Sequence, residues 1–193
     1  MRNIENILSF NDRFVENREY EQYLTDRFPD KKMVIVTCMD TRLTELLPKA
    51  LNLRNGDAKI IKNAGGIITQ PFGNIMRSVL IAVYELGADE VLVIGHHECG
   101  MTGLDPENVI LHMTENGIKD ETINTLLHSG MDLKRWLTGF DDVHDSVLKS
   151  VSIIRNHPLL PPKTPVHGLI IHPGTGKLDL LTKGYDIVEG KQN

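Results

Sequence analysis

VLVIGHHECGM, residues Val91–Met101, decides how the rest of the chain is read. Val91 to Ile94 is a short, continuous apolar run that ends at Gly95. A run of that kind predicts a strand buried on both faces, as in a parallel sheet. His96, His97, Glu98 and Cys99 follow at once. A buried strand ending in so many side chains able to bind metal puts them at the carboxyl edge of a sheet, where open α/β proteins collect their ligands.

Working outward, the same pattern recurs. Met33 to Thr37 (MVIVT), Ala58 to Lys62 (AKIIK) and Val166 to His172 (VHGLIIH) read as further strands. Between them, Thr41 to Leu51 reads as a helix that Pro48 bends or ends. Asn74 to Leu86 reads as an amphipathic helix, with Ile75, Met76, Val79, Leu80 and Val83 at helical spacing and Gly87 as its stop. Asp105 to His157 is helical territory broken at Gly117 and Gly130. Ile4 to Arg27 reads as one or two helices, with Ile4, Ile7, Leu8, Phe14, Tyr20 and Leu24 as packing positions. Lys177 to Thr182 and Tyr185 to Val188 read as a last strand or a hairpin about Lys183 and Gly184. Alternation of strand and helix predicts an α/β fold, an open sheet with right-handed crossovers.

Composition bounds the function. The 193 residues are 40% hydrophobic, which suits one compact domain, 1–193, with residues 1–30 as an N-terminal helical arm. The net charge is -5 with acids and bases intermixed, so neither a nucleic-acid partner nor a membrane partner is expected. No segment approaches the roughly 20 apolar residues of a membrane span, and MRNIENILSFNDRF lacks a signal-peptide core. A cytoplasmic protein is expected. Two cysteines, Cys38 and Cys99, are too few for a secreted disulfide framework.

Both cysteines follow strands. Cys38 lies in VTCMDTRL after the first, and Cys99 in GHHECG after the third. If those strands are neighbours, both thiols meet in one crevice, and His96, three residues before Cys99, can aim at the same point. Thiolate and imidazole are zinc ligands, and three protein ligands leave the fourth tetrahedral position for water, as in a catalytic site. Asp40 and Arg42 lie two and four residues after Cys38. A carboxylate there can bind the metal or accept a hydrogen bond from its water, and a guanidinium can hold that carboxylate with two parallel bonds.

CMDTR (Cys38, Asp40, Arg42), KNAGG (Asn63 to Gly66) and GHHECG (His96, Cys99, Gly100), in this order and separation, resemble the β-class carbonic anhydrases, the compact prokaryotic type in particular. The resemblance runs from about Lys32 to Ile171. It implies a mainly parallel sheet of order 2-1-3-4 with an additional edge strand, flanked by helices. It implies Zn2+ held by Cys38, His96 and Cys99, with Asp40 and Arg42 as the catalytic dyad. The implied reaction is reversible hydration of carbon dioxide to bicarbonate and a proton, in a homodimer or a multiple of dimers. In some members the aspartate takes the fourth zinc position and closes the site, so both open and closed states are compatible with the sequence.

Thr41 stands where the family commonly has serine, and both carry a hydroxyl. The glutamine and aromatic residues that line the carbon dioxide pocket of plant-type members have no match, and Gln70 and Phe72 are not assigned that role. Backbone N–H groups near Gly100, entering a helix, are expected to face the developing oxyanion. His97 reads as a surface histidine pointing away, His112 and His128 carry no assigned role, and Glu98 reads as a solvated loop charge. HPGTGKL, His172 to Leu178, reads as a turn because the full phosphate-loop pattern is missing. Hydrolysis of carbonyl sulfide or carbon disulfide on the same zinc set, a non-enzymatic zinc-binding domain, and a nucleotide-binding α/β protein, the weakest candidate, are the competing readings.

Overall fold

The computed structural model describes residues 2–190, so Met1 and residues 191–193, at the ends of the expected 1–193 unit, lie outside the described residues. Five strands form one sheet: β1 (Met33–Cys38), β2 (Ala58–Asn63), β3 (Glu90–His96), β4 (Val166–Ile171) and β5 (Leu178–Thr182). Their order is β2-β1-β3-β4-β5. The first four run parallel and β5 pairs antiparallel with β4. This is the expected 2-1-3-4 order with an additional edge strand.

Helices cover both faces. On one side lie α3 (Asn74–Tyr84) and α7 (Val143–Arg155). Met76, Val79 and Ala82 from α3, and Val147, Val151 and Ile154 from α7, pack on Val34, Val36, Val91 and Val93. On the other side α2 (Leu43–Ala50) sets Leu43 and Leu47 against Ile35, Ile94 and Ile171. Alternate residues of β1 and β3 thus enter opposite cores, and the middles of these strands are apolar for that reason. Full burial of each such side chain stabilises by about 1.5–3 kcal/mol. Gly95 lets α7 approach closely, because a Cβ there would stand 2.6 Å from Val147.

From β2 the chain crosses over β1 to reach β3, so the winding reverses between β1 and β3. Register brings their ends level: Thr37 pairs with Ile94, and the Thr37 hydroxyl donates to the Ile94 carbonyl at 2.9 Å in the core.

Between β3 and β4 lie four helices, α4 (Pro106–Glu115), α5 (Asp120–His128), α6 (Leu133–Leu137) and α7. Gly117 and Gly130 break them in left-handed backbone, as expected, and a further break falls between α6 and α7. Pro48 sits inside α2, which ends two residues later at Ala50. His172 to Lys177 forms the expected turn into β5.

One expectation is corrected. Tyr185 to Val188 is not a strand: it lies in α8 (Gly184–Val188). Gly184 packs so tightly on β4 that a Cβ would come within 2.4 Å of the Val166 nitrogen, which turns the chain away from the sheet edge. The N-terminal apolar positions stay largely outside the core of this chain. No residue of α1 (Asn3–Glu16) is buried. Ile4, Ile7 and Leu8 are each more than half exposed, and Phe14 lies against the neighbouring rings of Phe10 and Tyr23.

Candidate metal centre

Cys38 is the last residue of β1, and His96 the last of β3. Cys99 comes three residues after His96, in the turn that follows β3. Their donor atoms lie within 4.8 Å of one another, and this is the only such group of three among the described residues. All three residues are buried. The sulfurs stand 3.9 Å apart. Two sulfurs at about 2.3 Å from a tetrahedral zinc would be separated by about 3.8 Å.

His96 completes the set. Its Nδ1 lies 2.8 Å from the His97 carbonyl, which fixes Nδ1 as the donor and leaves Nε2 with a lone pair. That Nε2 is buried and has no hydrogen-bond partner. An unpartnered buried acceptor beside two cysteine sulfurs suits a cation held between them. The residues present therefore fit a zinc ion, and the second hydrogen bond orients the ligand ring as metal-binding histidines require.

The electrostatics point the same way. The Cys99 hydrogen bond pulls the Cys38 thiol down to about 4, against its burial, with help from His96 and the N–H groups of Asp40 and Gly65. Cys99 is pushed up, first by the Cys38 sulfur and then by burial, although the Met101 N–H opposes this. With one thiol lowered and the other raised, the pair loses its first proton readily and holds its second, which a dication would displace. Burial opposes a charged His96, yet the Cys38 sulfur, the His97 carbonyl and Asp40 together raise its pKa. The cluster attracts positive charge.

Gly65 reaches Cys38 because the KNAGG segment folds over the end of β1. Gly66 has φ 64°, and a Cβ there would stand 3.0 Å from the Cys38 nitrogen. Only glycine combines that backbone with that approach.

Asp40 flanks the cluster. Its Oδ2 lies 3.8 Å from His96 Nε2. Arg42 Nε donates to Asp40 Oδ1 at 3.1 Å and Nη2 to Oδ2 at 2.9 Å, a two-pronged fork. The Arg42 backbone N–H adds a third bond at 2.9 Å. Arg42, above all by its side-chain bonds, holds the Asp40 carboxyl at about 2. All five residues singled out from the sequence thus meet in one place.

Sequence reasoning missed Glu98. It was expected as a solvated loop charge, and its side chain is indeed exposed. Its carboxylate nevertheless accepts from Arg42 Nη1 at 3.1 Å, and its carbonyl accepts from Nη2 at 3.0 Å. Position beside Cys99 was the available signal. Gly100 is also corrected: it lies in a turn, and the next helix begins only at Pro106. The N–H groups that do face the cluster come from Asp40, Gly65 and Met101. His97 is half-exposed and faces Asp179 at 3.8 Å and the His172 ring. His112 and His128 are exposed on α4 and α5. Gln70 lines a cavity of about 430 Å³ with Asn63, Met101 and Trp136; Phe72 is exposed and touches His157.

Known proteins carry the same features. The family described as carbonic anhydrase matches residues 33–178. The chain is 58% identical over 186 residues to a Bacillus subtilis protein named "Putative carbonic anhydrase YvdA", covering 96% of this chain and 94% of that one. It is 32% identical to a carbon disulfide hydrolase of Saccharolobus solfataricus, over 77% of this chain and 76% of the other. The crystal structure of β-carbonic anhydrase isoform I from Trichomonas vaginalis superposes with a TM-score of 0.87 at 38% identity, covering 96% of this chain and all of that one. Backbone and sequence agree over nearly the whole length, and the chain belongs to the β-class carbonic anhydrases.

Proposed function

We propose that this protein hydrates carbon dioxide reversibly to bicarbonate and a proton, with one zinc ion on Cys38, His96 and Cys99 and with Asp40 and Arg42 as the catalytic dyad. One observation carries the reading: the orphaned, buried His96 Nε2 faces two thiols 3.9 Å apart, with a clamped carboxylate 3.8 Å away.

Zinc, when bound, supplies a Lewis acid that lowers the pKa of water towards 7. The chain does the rest. Cys38 and Cys99, steadied by N–H donors from Asp40, Gly65 and Met101, would hold the ion as thiolates. Two thiolates cancel its formal charge, so it acidifies water less than a three-histidine site would. Asp40 compensates: as a fixed acceptor it takes the hydrogen bond of the attacking water and turns a lone pair towards the substrate carbon. Arg42 keeps Asp40 ionised and oriented.

The purified chain is expected to hold about one zinc per subunit, as a single three-ligand site requires. Stopped-flow hydration assays should show activity that Cys38→Ala and Cys99→Ala lose together with the metal. Full zinc retention in both variants would overturn the ligand assignment. Carbon disulfide hydrolysis is the second reading, favoured by the likeness to a hydrolase of that name; side-by-side turnover of the two substrates separates them.

The apolar N-terminal arm, residues 1–30 of the one domain 1–193, supports a homodimer in which it covers a second copy. The thiols must stay reduced, and no helix among the described residues is long and apolar enough to cross a membrane. A cytoplasmic site of action completes the proposal.

A further inference from the structure

We infer that Glu98 is a positioning residue of this reaction, holding the Arg42 guanidinium on Asp40 from the opposite side of the cleft; this rests on the reading of Asp40 and Arg42 as the dyad. A guanidinium has five N–H groups in one plane. Here two engage Asp40 and two engage Glu98, one on its carboxylate and one on its carbonyl. Asp40 fixes one edge of the plane, and Glu98 takes two of the three remaining N–H groups.

Backbone geometry makes the second grip possible. Glu98 adopts φ 56°, in the left-handed region that a residue with a Cβ rarely occupies. There, its carbonyl and its carboxylate face the same guanidinium. The strain coincides with a functional contact.

Without Glu98, Arg42 and Asp40 would be an ion pair two residues apart on one turn. The Arg42 side chain is 42% exposed, and solvent competes well for pairs of that kind. Glu98 changes the connectivity. It lies between His97 and Cys99, so its bonds to Arg42 join the turn after β3 to the turn after β1 across the cluster. Asp40 Oδ2 is 3.8 Å from His96 Nε2. A carboxylate loosened from its fork has the ion that those residues would hold within reach. Glu98, through Arg42, keeps Asp40 in place to serve water instead.

E98A, E98Q, R42A and the double variant R42A/E98A test this. Three readouts are taken on zinc-loaded protein: metal content, kcat and KM for hydration, and exchange of the Arg42 Nε proton by nitrogen-15 NMR. E98A should keep its zinc, exchange the Arg42 proton faster, and lose about tenfold in kcat, the scale on which outer partners of metal sites act. KM should change less than kcat. E98Q should recover part of both, because an amide oxygen still accepts one N–H. The double variant should be no slower than R42A alone. Wild-type kcat and exchange in E98A would overturn the proposal, as would independent, multiplying losses in the double variant. If the wild type failed to hydrate carbon dioxide, the proposed reaction would fall, while Arg42 exchange would still decide whether Glu98 holds it.

Discussion

Asp40 matters through what it can accept, and that depends on charge and direction together. Asp40→Asn keeps the shape and removes the charge. Zinc should remain on Cys38, His96 and Cys99, while hydration falls on the order of a hundredfold or more, the usual scale for loss of a positioned acid–base group. Arg42→Lys keeps the charge but not the fork, so it should fall between the wild type and Arg42→Ala. Wild-type rates in Asp40→Asn, measured by stopped flow on metal-loaded protein, would remove the dyad and leave the metal assignment standing. Since Asp40 is held at about 2, its protonation should contribute nothing to an acid limb above pH 4. At this scale the sequence was largely legible: Cys38, Asp40, Arg42, His96 and Cys99 all follow strand ends, and their side-chain chemistry advertises itself. Glu98 was not, because an exposed glutamate in a turn looks the same in sequence whether it meets water or Arg42.

Among the elements, the strands were the most readable, since β1, β3 and β4 are built mostly of apolar residues and must be covered on both sides. Strand β2, at the sheet edge, carries Lys59 and Lys62 among its apolar residues. Element α8 was misread because Tyr185, Ile187 and Val188 favour strands in isolation, and only the packing of Gly184 on Val166 decides otherwise. That packing has a titratable latch. His167 in β4 accepts the Gly184 N–H on Nδ1 at 3.2 Å. Its Nε2 lies 3.3 Å from Glu90 Oε2, without hydrogen-bond alignment, and the same carboxylate accepts from the Tyr185 hydroxyl. Burial, aided by Lys183 and opposed by Glu90, lowers the His167 pKa. The sign follows. Below about pH 6.5 an unfolded histidine takes up a proton, while the buried one still resists, so stability falls as pH falls through that window towards the lower native value. Protonation at Nδ1 also removes the acceptor for Gly184. Amide exchange at Gly184 to Val188, corrected for its intrinsic pH dependence, should lose protection between pH 7.5 and 5.5. His167→Gln should flatten that change; an unaltered profile would show that the latch is not His167.

For the whole molecule, the unburied arm is the feature that needs an explanation. Ile4, Ile7 and Leu8 form one apolar stripe, and further along the arm Asn55 binds the Tyr23 carbonyl at 2.6 Å. The arm is tied down behind its first helix and bare along it. Light scattering at micromolar concentration should report a dimer or a multiple, and Ile7→Glu with Leu8→Glu should shift it towards monomer while far-ultraviolet dichroism stays close to wild type. A wild-type monomer would count against the arm as an interface. Sequence periodicity marked these residues as packing positions correctly in kind, but periodicity says that a surface wants cover and not whose surface supplies it. The pairing of β1 with β3 has a wider consequence. Cys38 and Cys99 come from segments far apart in the chain and face one another only because Thr37 stands level with Ile94. Sliding one strand by two residues would keep the apolar alternation intact and pass unnoticed by the core, yet it would carry one sulfur about 6.6 Å away from the other. The three donors therefore act as a proofreader of strand alignment. An ion that binds only the properly aligned sheet favours that arrangement by mass action, so that a chain still choosing among near-equivalent pairings is drawn to the one in which chemistry can begin.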